Sequence, residues 1–214
     1  MMNLYEKHRP EKLSQIVGQA AAVRTVKSMV RAGVGGRAFW ISGISGSGKT
    51  SIARIIAGEI ADPFFIEEFD AGWGLSQNNL QEISETMQVY GAGKGGRAFI
   101  VNEAHGLRKW IIQQLLGILE RIPNHVVFIF TTTRQGQDGL FEDQIDAGPL
   151  LSRCIEIWLT SKGLDRAFAR RCKKIAEAEG LDGQPMSAYV ELARSCKCNF
   201  RTMLQKVETG VMAD

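Results

Sequence analysis

The chain has 214 residues, 44% of them hydrophobic and 23% charged, with a formal net charge of +3. That length can bury one sizeable core, or a large one plus a small one, and the composition is ordinary for a globular protein. No apolar run reaches bilayer length and the first ten residues hold no apolar signal-peptide core, so a membrane span is excluded and a cytoplasmic address is expected. The four cysteines, Cys154, Cys172, Cys196 and Cys198, form no pair of C-x-x-C knuckles, which argues against a structural zinc and for reduced thiols. A charge of +3 permits a local basic face and requires no nucleic-acid partner.

Pro10 and the polar residues from Tyr5 to Gln19 predict an extended arm. Val23, Val26 and Val30 then predict a short helix, closed by Gly33 to Gly36. Ala38 to Ser42 has strand character and runs into Gly43-Ile44-Ser45-Gly46-Ser47-Gly48-Lys49-Thr50, which fits the pattern G-x-x-x-x-G-K-[ST]. Ile52, Ile55, Ile56 and Ile60 follow at helical spacing, so strand, loop and helix come in the order that a phosphate-binding loop requires. Glycines let the backbone turn its N–H groups onto an anion at the helix N-terminus. Lys49 is the expected partner of the β- and γ-phosphates, and the Thr50 hydroxyl of Mg²⁺. Gly43, Ser45, Gly46, Ser47, Gly48, Lys49, Thr50 and Ser51 are thus the candidate cradle for a nucleoside triphosphate.

Pro63 to Asp70 reads as a second strand ended by Gly72 and Gly74, with a polar helix through Leu80, Ile83 and Met87. A glycine-rich loop, residues 91–96, leads to a third strand from Arg97 to Val101, which ends in Asn102-Glu103-Ala104-His105. Carboxylates at a strand end beside a phosphate loop hold the metal shell and polarise the attacking water. Asn102 offers only a neutral amide to a hard cation, whereas Glu103 is the candidate general base.

Ile111, Leu115, Ile118 and Ile122 mark a helix that stops at Pro123; Val126 to Phe130 is a fourth strand, ending in Thr131, Thr132 and Thr133. A loop from Arg134 to Gly148 precedes Leu151-Ser152-Arg153-Cys154 and a fifth strand from Ile155 to Leu159. Strands alternating with helices predict an α/β fold, a parallel five-stranded sheet with helices on both faces. From Ser161 onward only helices are expected: one on Leu164, Phe168, Cys172 and Ile175, one opened by Pro185, one carrying Met203, Leu204, Val207 and Val211. These give two units, residues 1–160 and a small all-α three-helix domain over 161–214. Arg166, Arg170, Arg171, Lys173 and Lys174 on the first helix read as a solvated face or a nucleic-acid contact.

Together these residues resemble the AAA+ P-loop ATPases of DNA polymerase clamp loaders, a family that includes the replication factor C small subunits, phage clamp-loader ATPases and the bacterial tau/gamma subunit. The resemblance runs from about Tyr5 to about Val211. Tyr5-Glu6-Lys7-His8-Arg9-Pro10 and Ile16-Val17-Gly18-Gln19 resemble the family's opening, which implies an adenine pocket flanked by Tyr5, Arg9, Pro10, Val17 and Gly18. Thr133 falls at the position that senses the γ-phosphate, and Ser152-Arg153-Cys154 matches the family's S-R-C box. The resemblance implies that Arg153 acts in trans on a neighbouring subunit's ATP, and that Arg201, in the helical lid, meets the γ-phosphate of its own subunit. It implies as partners other AAA+ subunits, a sliding clamp and primer–template DNA, with ATP and Mg²⁺ as ligands.

Three departures qualify it. Asn102 stands where the family carries an aspartate, so its contact with the metal is expected to be indirect. The interval from Thr133 to Ser152 is long. The family's helical collar domain does not lie within these residues. The lack of a cysteine cluster after the phosphate-loop helix points toward the replication factor C or phage branch. Beside the clamp-loader reading stand a nucleotide-dependent assembly module with little hydrolysis, a helicase loader or other AAA+ remodeller, and a small-molecule kinase, which leaves the S-R-C box and Arg201 unexplained.

Overall fold

The computed structural model describes residues 3–72, 75–133 and 148–211. Five strands, β1 (Arg37–Ser42), β2 (Ile66–Asp70), β3 (Arg97–Asn102), β4 (Val126–Thr132) and β5 (Cys154–Trp158), form one sheet in the order β2-β3-β4-β1-β5. Every pairing is parallel. The central strand β4 is buried along its whole length. Its unbroken Val-Val-Phe-Ile-Phe run suits a strand covered on both faces.

Strand alternation sorts the core into two layers. Trp40, Phe99, Val101, Phe128 and Phe130 face one way, against α4 (Gln77–Thr86) and α5 (Lys109–Leu119). Phe39, Ile41, Ile100, Val127 and Ile129 face the other way, toward α2 (Ala20–Ala32) and α3 (Lys49–Ile60). Rings stack across neighbouring strands, Trp40 on Phe130 and Phe99 on Phe128. Ser76 and Asn79 cap α4 reciprocally, with the asparagine amide doing the work usually given to a glutamate.

A third core belongs to α7 (Asp165–Ala178), α8 (Met186–Ser195) and α9 (Phe200–Glu208), where Phe168, Cys172, Ile175, Tyr189, Leu192, Met203 and Leu204 are buried together. Buried Gln19 fixes the junction, its side chain donating to the Thr160 carbonyl at 3.0 Å and accepting from the Thr160 N–H at 2.9 Å.

Several expectations shift. The arm is not simply extended: Leu4–Lys7 forms one helical turn, α1, with the Asn3 carbonyl accepting from the Glu6 and Lys7 N–H groups. Leu4 is buried in the lid core, a contact supplied from outside the local sequence. Pro63–Phe65 is a 3-10 turn, so β2 starts only at Ile66; proline at the first helical position favours the turn. Gly148–Leu151 makes a short helix, α6, and β5 begins one residue earlier than expected. Most of the 134–148 loop, residues 134–147, lies outside the described residues, as does Gly74. Among the described residues no helix is long and apolar enough to cross a membrane.

Candidate nucleotide site

The loop between β1 and α3 closes around Lys49. Its ammonium donates to the carbonyls of Gly43 at 3.0 Å and Ile44 at 3.1 Å and is almost fully buried. Burial pushes the Lys49 pKa below the ordinary lysine value; the Glu103 carboxylate opposes that shift and the Arg201 charge adds to it. The loop turns through Gly46 and Gly48, both at positive φ. Ser47 Oγ donates to the Ile44 carbonyl at 2.7 Å, bracing the turn.

Parallel strands deliver the remaining groups, because β3 and β4 end side by side next to β1. Asn102 Oδ1 accepts from Thr50 Oγ1 at 3.3 Å and from Thr131 Oγ1 at 3.0 Å. Thr133 Oγ1 donates to Glu103 Oε2 at 3.2 Å, and His105 Nδ1 lies 3.4 Å from the same oxygen. Glu103 itself sits in the left-handed region at φ 51°, which costs a non-glycine residue about 1–2 kcal/mol. Strain of this kind gathers at functional positions. Here the following 3-10 turn holds it, the Gly106 N–H donating to the Glu103 carbonyl at 2.8 Å.

A pocket joins this loop to the arm and the lid. Tyr5, Arg9, Pro10, Val17, Ser45, Gly46, Ser47, Gly48, Lys49, Thr50, Ser51, Glu103 and Arg201 line it. Gly43 and Gly18 do not, and their roles are steric. A side chain on Gly43 would meet Leu159 and one on Gly18 would meet Leu164, so both glycines let the backbone close onto its neighbours. Thr133 and Asn102 stand behind the lining, bonded to Glu103 and Thr50. Arg9 pairs with Glu6, whose carboxyl is held below the usual range by that bond and by the charges of Arg9, Arg54 and Arg201. Arg201 lies over the Tyr5 ring, 5.2 Å from its centroid. Arg153 is not part of this pocket; it bonds Glu120 and the Pro149 carbonyl.

Sequence reasoning missed several of the residues involved. Phe168, Leu204 and Arg171 also line the pocket. Arg171 therefore turns inward, and Lys173 is spent on Asp182 at 2.6 Å, so the basic face expected on α7 is not one uniform surface. Asn199 caps α9 by accepting from the Thr202 N–H and donates to Ser45 Oγ at 3.3 Å, linking the lid to the phosphate loop. Its place just before an amphipathic run was the available signal.

Oxygen donors from Thr50 and Asn102 beside a buried ammonium suit a hard cation on a polyphosphate, so the residues present fit ATP with Mg²⁺. The sheet order, the loop and the strand-end glutamate define a P-loop nucleoside-triphosphatase fold. The sequence profile of the ATPase family associated with various cellular activities (AAA) matches residues 39–157, and the chain belongs to that family.

Among its relatives, the DNA polymerase III subunit gamma/tau of Mycobacterium tuberculosis is 31% identical over 156 residues, 62% of this chain and 27% of that one. The tau subunit of Escherichia coli is 24% identical over 230 aligned positions, covering 97% of this chain and 34% of its own. The chain spans about a third of such relatives' length. RuvB of Thermotoga maritima superposes with a TM-score of 0.75 over 97% of this chain and 69% of that one, at 20% identity, which speaks to fold alone. The tau and gamma subunits belong to the family resembled in sequence. These relatives are bacterial and do not test the expectation of a closer tie to replication factor C or the phages.

Proposed function

We propose that the chain is an ATP-binding and ATP-hydrolysing subunit of the clamp-loader type, which assembles with other AAA+ subunits and helps place a sliding clamp on primed DNA. The observation that carries the reading is Glu103, its Oε2 held by Thr133 beside a phosphate loop whose lysine is buried. Lys49 supplies positive charge where a triphosphate's negative charge concentrates. Glu103 accepts a proton from the attacking water, and Thr133 keeps the carboxylate aimed. Arg201 leaves the Tyr5 ring to meet the γ-phosphate of its own subunit, and Arg153 reaches the neighbour's. Bound Mg²⁺ supplies charge neutralisation on the phosphates.

Clamp and DNA enter through the similarity to DNA polymerase III subunits and through the S-R-C box. A second reading, ATP as interface glue with little turnover, is favoured by one feature. Asn102 offers the metal side a neutral oxygen that already accepts two hydroxyl bonds.

One experiment separates them: ATP turnover by wild type, Glu103→Gln and Asn102→Asp, across protein concentration, with and without primed DNA. Turnover that rises with concentration or DNA and falls about 10²–10⁴-fold in Glu103→Gln is the expected result. A wild type as inert as Glu103→Gln, with Asn102→Asp active, would replace the first reading by the second.

A further inference from the structure

Arg153 does not line the pocket of its own chain, yet it is not loose. Its Nη2 donates to Glu120 Oε1 at 2.6 Å and its Nη1 to the Pro149 carbonyl at 2.9 Å. Glu120 is the C-cap of α5, where exposed carbonyls already concentrate partial negative charge. A carboxylate is poorly placed there unless a cation meets it. Pro149 stands in α6, the turn that leads into Arg153. The guanidinium is thus gripped by two acceptors on separate elements, one charged and one fixed in the backbone.

We infer that Glu120 is a positioning residue for Arg153, holding the guanidinium in one outward orientation before a neighbouring subunit arrives. The inference rests on the proposed inter-subunit role of Arg153. An arginine carries large rotamer freedom, and a free one would have to lose it at the moment it meets the neighbour's triphosphate. Fixing it beforehand removes that cost from the reacting complex, the usual benefit of preorganisation. The pair is too exposed to hold the fold together, because ion pairs of this kind contribute little to stability. Its effect therefore belongs to turnover in the assembled state.

The test compares wild type, Arg153→Ala, Glu120→Ala and Glu120→Gln at the protein concentration of highest turnover, with oligomeric state followed by sedimentation. Glu120→Ala should assemble and melt as wild type does, keep its KM for ATP, and lose about ten- to a hundredfold in kcat. Glu120→Gln keeps the acceptor oxygen and should recover most of that loss. Because the residue acts on the neighbour's site, mixing Glu120→Ala with Glu103→Gln should restore turnover: one supplies an intact pocket, the other an intact Glu120–Arg153 pair. Wild-type kcat in Glu120→Ala alongside a defective Arg153→Ala would overturn the inference alone. Slow turnover caused by failed assembly, or no gain on mixing, would also overturn it. A fully active Arg153→Ala would instead remove the inter-subunit role itself, and this inference with it.

Discussion

At Lys49 folding and ligand binding pull in opposite directions. Burial among loop carbonyls disfavours its charge, so the folded chain releases that proton at a lower pH than an exposed lysine would. The free protein therefore gains stability as pH rises from the folded-state value toward the ordinary lysine value, since only the unfolded chain still binds the proton there. Triphosphate binding has the opposite sign, because it needs the ammonium and draws the proton back. ATP affinity should fall with rising pH over that alkaline window, and binding should take up a proton. Titration calorimetry in two buffers of different ionisation enthalpy measures the uptake; zero uptake while exposed lysines are still charged would refute the account. Lys49 and Glu103 were legible in the sequence because each sits in a motif of fixed spacing. His105 and Thr131 were not, since their part depends on which strands end side by side.

Contact between two elements, the phosphate loop and the first turn of α9, makes a sharper demand than either element alone. Gly46 sits at φ +71°, and a Cβ there would lie 2.2 Å from Asn199 Oδ1 and 2.8 Å from the Phe200 backbone nitrogen. The amide of Asn199 could rotate away, but the backbone of α9 could not. Gly46→Ala should therefore push the lid off the loop: the fold by circular dichroism stays, while ATP affinity drops at least about tenfold, or ~1.4 kcal/mol. Unchanged affinity would mean that the lid contact contributes nothing to binding. Strands β1, β3 and β4 could be read from their apolar runs, and the helices from their periodicity. The turn at Pro63–Phe65 and the arm could not. An apolar stretch gives no sign of where pairing begins, and Leu4 is helical because a pocket formed by residues far along the chain receives it.

The molecule as a whole closes its pocket from three sides: sheet, lid and arm. A ligand that touches all three binds only the folded chain. At a hundred times its Kd it should contribute about 2.7 kcal/mol, which for this size raises Tm by roughly 5–10 °C. Thermal melts with and without Mg-ATP check this, and Lys49→Ala should erase the shift. The α/β design, a sheet covered on both faces, and the helical lid were both legible, because each repeats its pattern over many residues. The way lid and arm meet was not, since it depends on single contacts between distant parts. Lys7 and His8 both bind Glu179, and the first of these bonds spans 172 residues of sequence. That clip bears on how the protein is made. A ribosome makes the phosphate loop and strands β1 to β4 well before Glu179, so the arm must wait without its docking site while most of the chain is synthesised. Nucleotide capture then becomes a late event in biogenesis, and a nascent chain stalled before α7 should carry a finished loop that holds ATP poorly.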